Sequence, residues 1–136
     1  MPYLHQYRLF ISHKWKYSEG YDRIIQFLTA APNFEYRNYS VPEHKAFVGL
    51  STPRLAEQLK NQIRPVQCVI ILGGMYVSYS DWIQYEINYA KELGKPILGI
   101  YPWGAQKMPL AVTVAADEIV GWNTNSILTA IRRLVP

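Results

Sequence analysis

Val66-Gln67-Cys68-Val69-Ile70-Ile71-Leu72 is nearly continuous in apolar residues and runs straight into Gly73-Gly74. A strand reads this way when both faces of its sheet are covered, the situation of a parallel sheet. Beyond the loop Met75 to Tyr79, Ser80-Asp81-Trp82-Ile83-Gln84-Tyr85-Glu86 opens a helix. Gly94 ends that helix as its C′ residue, with Pro96 soon after. Pro96 to Ile100 is again a short apolar run. Buried strand, helix, buried strand is the unit of a parallel α/β sheet.

Outward from this unit the same alternation continues. Tyr7 to Ser12 reads as a strand, followed by the polar and aromatic cluster Ser12-His13-Lys14-Trp15-Lys16-Tyr17. Tyr21, Ile24, Ile25 and Leu28 recur at i, i+3, i+4 and i+7, which predicts a helix that Pro32 stops. Phe34 to Tyr39 is an alternating strand, and Ser40 to Leu50 a loop. Thr52-Pro53 starts a helix, with Thr as N-cap and Pro at its first position, and Leu55, Ala56, Leu59 and Ile63 form its apolar side. On the C-terminal side Pro102, Gly104 and Pro109 argue for irregular chain from Tyr101 to Ala116. Glu118 to Trp122 is a fifth strand. Asn123-Thr124-Asn125 caps a last helix with Ile127, Leu128, Ile131 and Leu134 inward. No repeat or linker divides the chain, so residues 1–136 are expected to form a single domain. Five strands in this length suit an α/β three-layer sandwich with a parallel sheet in the flavodoxin-like order 2-1-3-4-5.

Composition narrows the function. Of 136 residues, 49% are hydrophobic and 18% charged, which excludes a disordered chain. The net charge of +4 comes from basic residues scattered singly, with Arg132-Arg133 the adjacent pair. Nucleic-acid binding normally shows a clustered basic patch, so no nucleic-acid partner is expected. Cys68, the single cysteine, sits inside an apolar run and reads as a core residue. No run approaches about 18 apolar residues, so no membrane partner and a cytoplasmic location are expected. His5, His13 and His44 lack metal-ligand spacing, and no metal is expected.

On a helical wheel from Trp82 to Gly94, Gln84, Asn88, Lys91 and Glu92 gather on one side. Trp82, Ile83, Tyr85, Ile87, Tyr89, Ala90 and Leu93 take the other, and Glu86 falls within that apolar arc. A carboxylate there needs a cationic partner, a backbone donor, or a cleft in which it faces a ligand. In doubly wound sheets ligands bind outside the carboxyl ends of the strands, near the switch between the first and third. That rule gathers Ser12 and His13 at the end of the first strand, Gly73 and Gly74 at the end of the third, and Trp82 and Glu86 on the helix that follows. The cleft is then one answer for Glu86; pairing with Arg8 or Arg23 as a structural carboxylate is the other.

Phe10-Ile11-Ser12-His13 resembles the first conserved box of TIR domains. Gly73-Gly74-Met75-Tyr76 through Ser80-Asp81-Trp82-Ile83-Gln84-Tyr85-Glu86 resembles the TIR segment in which Ser-x-Trp is followed, four residues after the Trp, by a catalytic Glu. The chain is similar over most of its length to the stand-alone TIR-like family of the bacterial Thoeris anti-phage system, including its closing Glu118-Ile119-Val120-Gly121-Trp122-Asn123-Thr124. The resemblance implies cleavage of the nicotinamide–ribose bond of NAD, with NAD as substrate and no bound cofactor. It implies Glu86 as the catalytic residue, and Phe10, Ser12, His13, Tyr17, Gly73 and Trp82 as substrate-binding residues. It implies an ADP-ribose-derived product, cyclic in form, sensed by a separate effector protein, and a homo-oligomer among its assemblies. Two features depart from the family: Ile83 stands where TIR domains commonly have Cys, and Ser40 to Leu50 has no clear counterpart of the loop that drives many TIR assemblies.

Plainer roles exist for each of these residues. Trp82 can be a core aromatic, Ser12 a turn cap, His13 a surface residue, and Gly73-Gly74 is too short for a dinucleotide fingerprint. No Gly-x-Ser-x-Gly is present, which argues against a Ser-His-Asp hydrolase. Tyr76, Tyr79 and Tyr85 are candidates to rim a pocket. Three other classes fit the pattern: a non-catalytic TIR-type adaptor, a nucleoside deoxyribosyltransferase-like enzyme, and a nucleotide- or flavin-binding module.

Overall fold

Every residue of β3 (Cys68–Leu72) and of β4 (Ile97–Ile100) is buried, as an apolar run covered on both faces requires. The computed structural model describes residues 6–11, 18–31, 34–39, 57, 60–72, 80–101, 110–121 and 123–135. Around β3 and β4 lie β1 (Gln6–Ile11), α1 (Ser18–Ala30), β2 (Glu35–Asn38), α2 (Ser80–Glu92), α3 (Leu110–Ala115), β5 (Glu118–Val120) and α4 (Thr124–Leu134). Residues 60–63 are also helical, and Ile63 is fully buried. The proposed start of that helix at Thr52-Pro53 lies outside the described residues.

The five strands form one parallel sheet in the order β2-β1-β3-β4-β5. This is the expected 2-1-3-4-5 order, and the chain switches direction between β1 and β3. Helices cover both faces, and two side-chain observations assign them. Glu118 on β5 accepts a fork of hydrogen bonds from Arg133 of α4, through Nε at 3.0 Å and through Nη2, so α4 lies on the face that Glu118 points to. A Cβ built on Gly99 of β4 would meet Val112 Cγ1 at 3.3 Å and Ala116 Cβ at 3.4 Å. Gly99 therefore faces α3 on the opposite side. Its register partner Ile119 also faces that way, 3.5 Å from the same point, as the alternation along β5 demands. α1 packs with α4. Right-handed crossovers place α2 with α3, because β3→β4 and β4→β5 advance in the same direction while β1→β2 advances in the other.

Local chemistry agrees with the elements. Ile24 and Leu28 of α1 are fully buried, as their spacing predicts. Gly94 has φ +70°, its N–H donates to Lys91 O at 3.1 Å, and Lys95 N–H donates to Ala90 O at 2.8 Å. This is the paired closure of a helix on a left-handed C′ glycine. Asn123 caps α4, its side-chain oxygen accepting from Ser126 N at 3.1 Å.

One segment departs from the expectation. Residues 110–115, expected to be irregular, form α3. Pro109 stands directly before it in sequence, where proline starts a helix as readily as it breaks one. The helix is short, and its buried anchor Val112 is flanked by Leu110 and Val114, both about three-quarters exposed. No apolar stripe announces it.

Candidate functional site

Glu86 is fully buried, and among the described residues it is the sole polar or charged side chain in that class. It lies six residues into α2, about 9 Å along the axis from the helix's first residue at the usual rise. Because α2 follows β3, its N-terminal half stands over the carboxyl edge of the sheet. Ile87 and Ala90 are buried beside Glu86, while Asn88, Lys91 and Glu92 are exposed, as the wheel predicts. Tyr85 departs from it. It is 39% exposed and stacks on Tyr89, with centroids 6.3 Å apart. In this i, i+4 aromatic pair Tyr89 packs against the edge of the core and Tyr85 covers it from the solvent side.

Arg8 does not answer Glu86. It is exposed, and its Nε donates to Pro65 O at 2.8 Å. Arg23 rides on α1, in the layer on the other side of the sheet. Glu86 has an interaction partner, and its buried Oε2 accepts no hydrogen bond from the described residues. A buried carboxylate oxygen of this kind calls for a donor.

Phe10 shares a face with Glu86's helix. In the register Phe10 pairs with Val69, and Val69 with Ile97. Paired residues point to one face, and Ile97 points as Gly99 does, toward the α2–α3 layer. Phe10 is 3% exposed there, near the carboxyl end of β1. It is both a core residue and a wall of the layer that holds Glu86. Ser12, His13, Tyr17 and Gly73, and the side chain of Trp82, lie outside the described residues, as do Tyr76 and Tyr79. The backbone of Trp82 is in α2, one turn before Glu86.

Tyr101 escaped the sequence reading. It follows β4 at the carboxyl edge, 47% exposed, and its N–H donates to Val120 O at 2.9 Å. A lone aromatic after a strand carries no sequence signal; only the register shows its place.

Cys68 is buried in β3, and burial, with the charge of Asp117 as a lesser cause, pushes its thiol up to about 12. Such a thiol is inert as a nucleophile near neutral pH. Among the described residues no group of His, Cys, Asp and Glu could hold a metal ion, and no helix is long and apolar enough to cross a membrane.

A carboxylate buried in a protein layer acts through a lower dielectric than water. Its attraction for a positive charge developing on a ligand is correspondingly strong. The family model of the Thoeris protein ThsB TIR-like domain matches residues 10–107, a span that begins at Phe10 and includes Glu86. Among solved structures, the chain is similar to the CMP N-glycosidase BcmB of Clostridium botulinum, with a TM-score of 0.52 and 18% identity, over 93% of this chain and 98% of that one. At this identity the likeness is one of fold. No curated protein matches the chain.

Proposed function

The chain belongs to the family of Thoeris ThsB TIR-like domains, and from that membership we propose that it cleaves the nicotinamide–ribose bond of NAD, with Glu86 as the catalytic carboxylate. The observation that carries this reading is the full burial of Glu86 on α2, at the family's motif position and on the sheet face that also bears Phe10.

The chemistry asks little more of the protein. The bond from ribose C1′ to the pyridinium nitrogen breaks, and its electron pair stays with nicotinamide, which leaves neutral. Nicotinamide therefore needs no proton from a general acid. Positive charge develops on C1′ and the ring oxygen, and Glu86 stabilises it. Phe10 contributes an apolar wall. Ser12, His13, Tyr17, Gly73 and Trp82 complete the substrate contacts in this reading. The acceptor sets the product. Water gives ADP-ribose, with its second proton lost to solvent. A nitrogen or hydroxyl of the same molecule gives a cyclic isomer, the form proposed here as a messenger to a separate effector in anti-phage defence.

The fold likeness to a CMP N-glycosidase supports a second reading in which a nucleoside monophosphate is the substrate and the same carboxylate faces its ribose. Mass spectrometry separates the two readings. The purified protein and Glu86→Gln are incubated at high concentration with NAD, and separately with CMP. Glu86-dependent release of nicotinamide, with a mass of NAD less nicotinamide, is the expected result and marks a cyclic product; the same mass plus water marks hydrolysis. Consumption of CMP with NAD untouched would overturn the NAD reading in favour of the second. Turnover of neither would favour an adaptor.

A further inference from the structure

We propose that Tyr101 is the aromatic platform on which the substrate's base stacks. This rests on reading the carboxyl-edge crevice as a nucleotide site, but not on which nucleotide enters it.

Three observations converge on Tyr101. The first is its face. Gly99 points toward the α2–α3 layer, since a Cβ there would meet Val112 and Ala116. Tyr101 is two residues on, and the ladder to β5 continues through its N–H to Val120 O at 2.9 Å. With the strand's alternation intact, Tyr101 leaves the sheet on the same face as Gly99, and so on the face that carries Glu86. The second is its level. Leu72 pairs with Ile100, so Tyr101 stands one residue beyond the level at which β3 ends, on the carboxyl edge of the sheet and one strand over from the β1–β3 switch. The third is its exposure. Ile97 to Ile100 are completely buried, and Tyr101 is 47% exposed. A large aromatic ring, which has an interaction partner of its own, thus keeps about half of its surface open to solvent at the carboxyl edge.

A rigid ring there suits a planar, uncharged or weakly charged heterocycle. Aromatic side chains stack on any base through their π face, with little demand on the base's hydrogen-bonding edge. With the base held by Tyr101 and the ribose facing Glu86, the glycosidic bond lies between them. Tyr101 is then a binding residue that orients the leaving base, and Glu86 acts on the sugar.

The test is calorimetric titration in the Glu86→Gln background, where ligand is not consumed. Glu86→Gln is compared with Glu86→Gln carrying Tyr101→Phe, Tyr101→Leu or Tyr101→Ala, using NAD, AMP and CMP as ligands, with melting curves for each protein. Phe keeps the ring and is expected to bind within about twofold of the parent. Leu and Ala are expected to bind about tenfold or more weakly while remaining folded at the temperature of the titration. Equal binding by the Ala and Leu proteins, or equal loss in the Phe protein, would overturn the proposal. If CMP or AMP binds with this dependence on Tyr101 and NAD does not, the platform stands and the NAD reading falls. If none of the three binds in a Tyr101-dependent way, the platform falls.

Discussion

Gly99→Val is the sharpest probe of how the layers are stacked. The Cβ alone would lie 3.3 Å from Val112 Cγ1, 3.4 Å from Ala116 Cβ and 3.5 Å from Ile119 Cγ1. All three are side-chain carbons, two of them on the α3 segment and one on β5. Gly99→Ala therefore forces α3 outward by a few tenths of an ångström. Overpacking of this kind costs about 1–2 kcal/mol. Loss of glycine's freedom in the unfolded chain returns about 0.4–1 kcal/mol, leaving a net destabilisation of about 1 kcal/mol. Valine adds two more methyl groups in the same space, and about 3 kcal/mol is expected. For a chain of 136 residues the melting temperature should fall by about 3–5 °C for Ala and by about 10 °C for Val. Urea unfolding followed by circular dichroism measures both. A Val variant as stable as the natural protein would mean that Val112 and Ala116 do not lie over β4. The placement of the α2–α3 layer, and of Tyr101 with it, would then be wrong.

Other consequences are local. Gly94→Ala puts a Cβ at φ +70° where nothing lies within 4 Å, so the cost is backbone strain alone, about 1 kcal/mol in urea unfolding, with Gly94→Asn costing less. Asn123→Ala removes the cap bond to Ser126 N and should destabilise by about 1 kcal/mol, largely restored by Gly. Cys68 should resist thiol reagents at pH 8 in the native protein and react fully in urea. Its raised pKa also sets a sign: the unfolded thiol ionises from about 9 upward while the native one stays protonated to about 12. Stability from this group is therefore present below pH 9 and lost as pH rises toward 12, and Cys68→Ala should flatten that alkaline loss.

The parallel sheet was legible because its signal is chemical and local. Cys68 to Leu72 and Ile97 to Ile100 are apolar at nearly every position, and glycine, proline and asparagine mark the ends of the helices. Glu86 was legible for the opposite reason, as a charge set against the periodicity of its own helix. α3 was not, because Pro109 is ambiguous and Leu110 and Val114 are exposed despite being apolar. Tyr85 was misplaced because a wheel counts an aromatic residue as inward, while Tyr85 stacks on the outside of Tyr89, the member of the pair that packs against the core. Phe10's place on Glu86's face and Tyr101's place at the carboxyl edge depend on strand register. Pairing partners such as Phe10–Val69 and Leu72–Ile100 are set by the whole sheet, and no short stretch of chain encodes them.

The most direct measurement is the rate of nicotinamide release from NAD by the natural protein and by Glu86→Gln at equal, high concentration, with melting curves recorded on both. Glu86→Gln replaces a fully buried carboxylate by a neutral group of the same shape, so the fold should survive, and the melting curves verify it. Release should fall by a factor of about 100–1,000 or more, the scale seen when one group stabilising transition-state charge is removed. A folded Glu86→Gln protein that releases nicotinamide at the natural rate would contradict the assignment of Glu86 as the catalytic carboxylate.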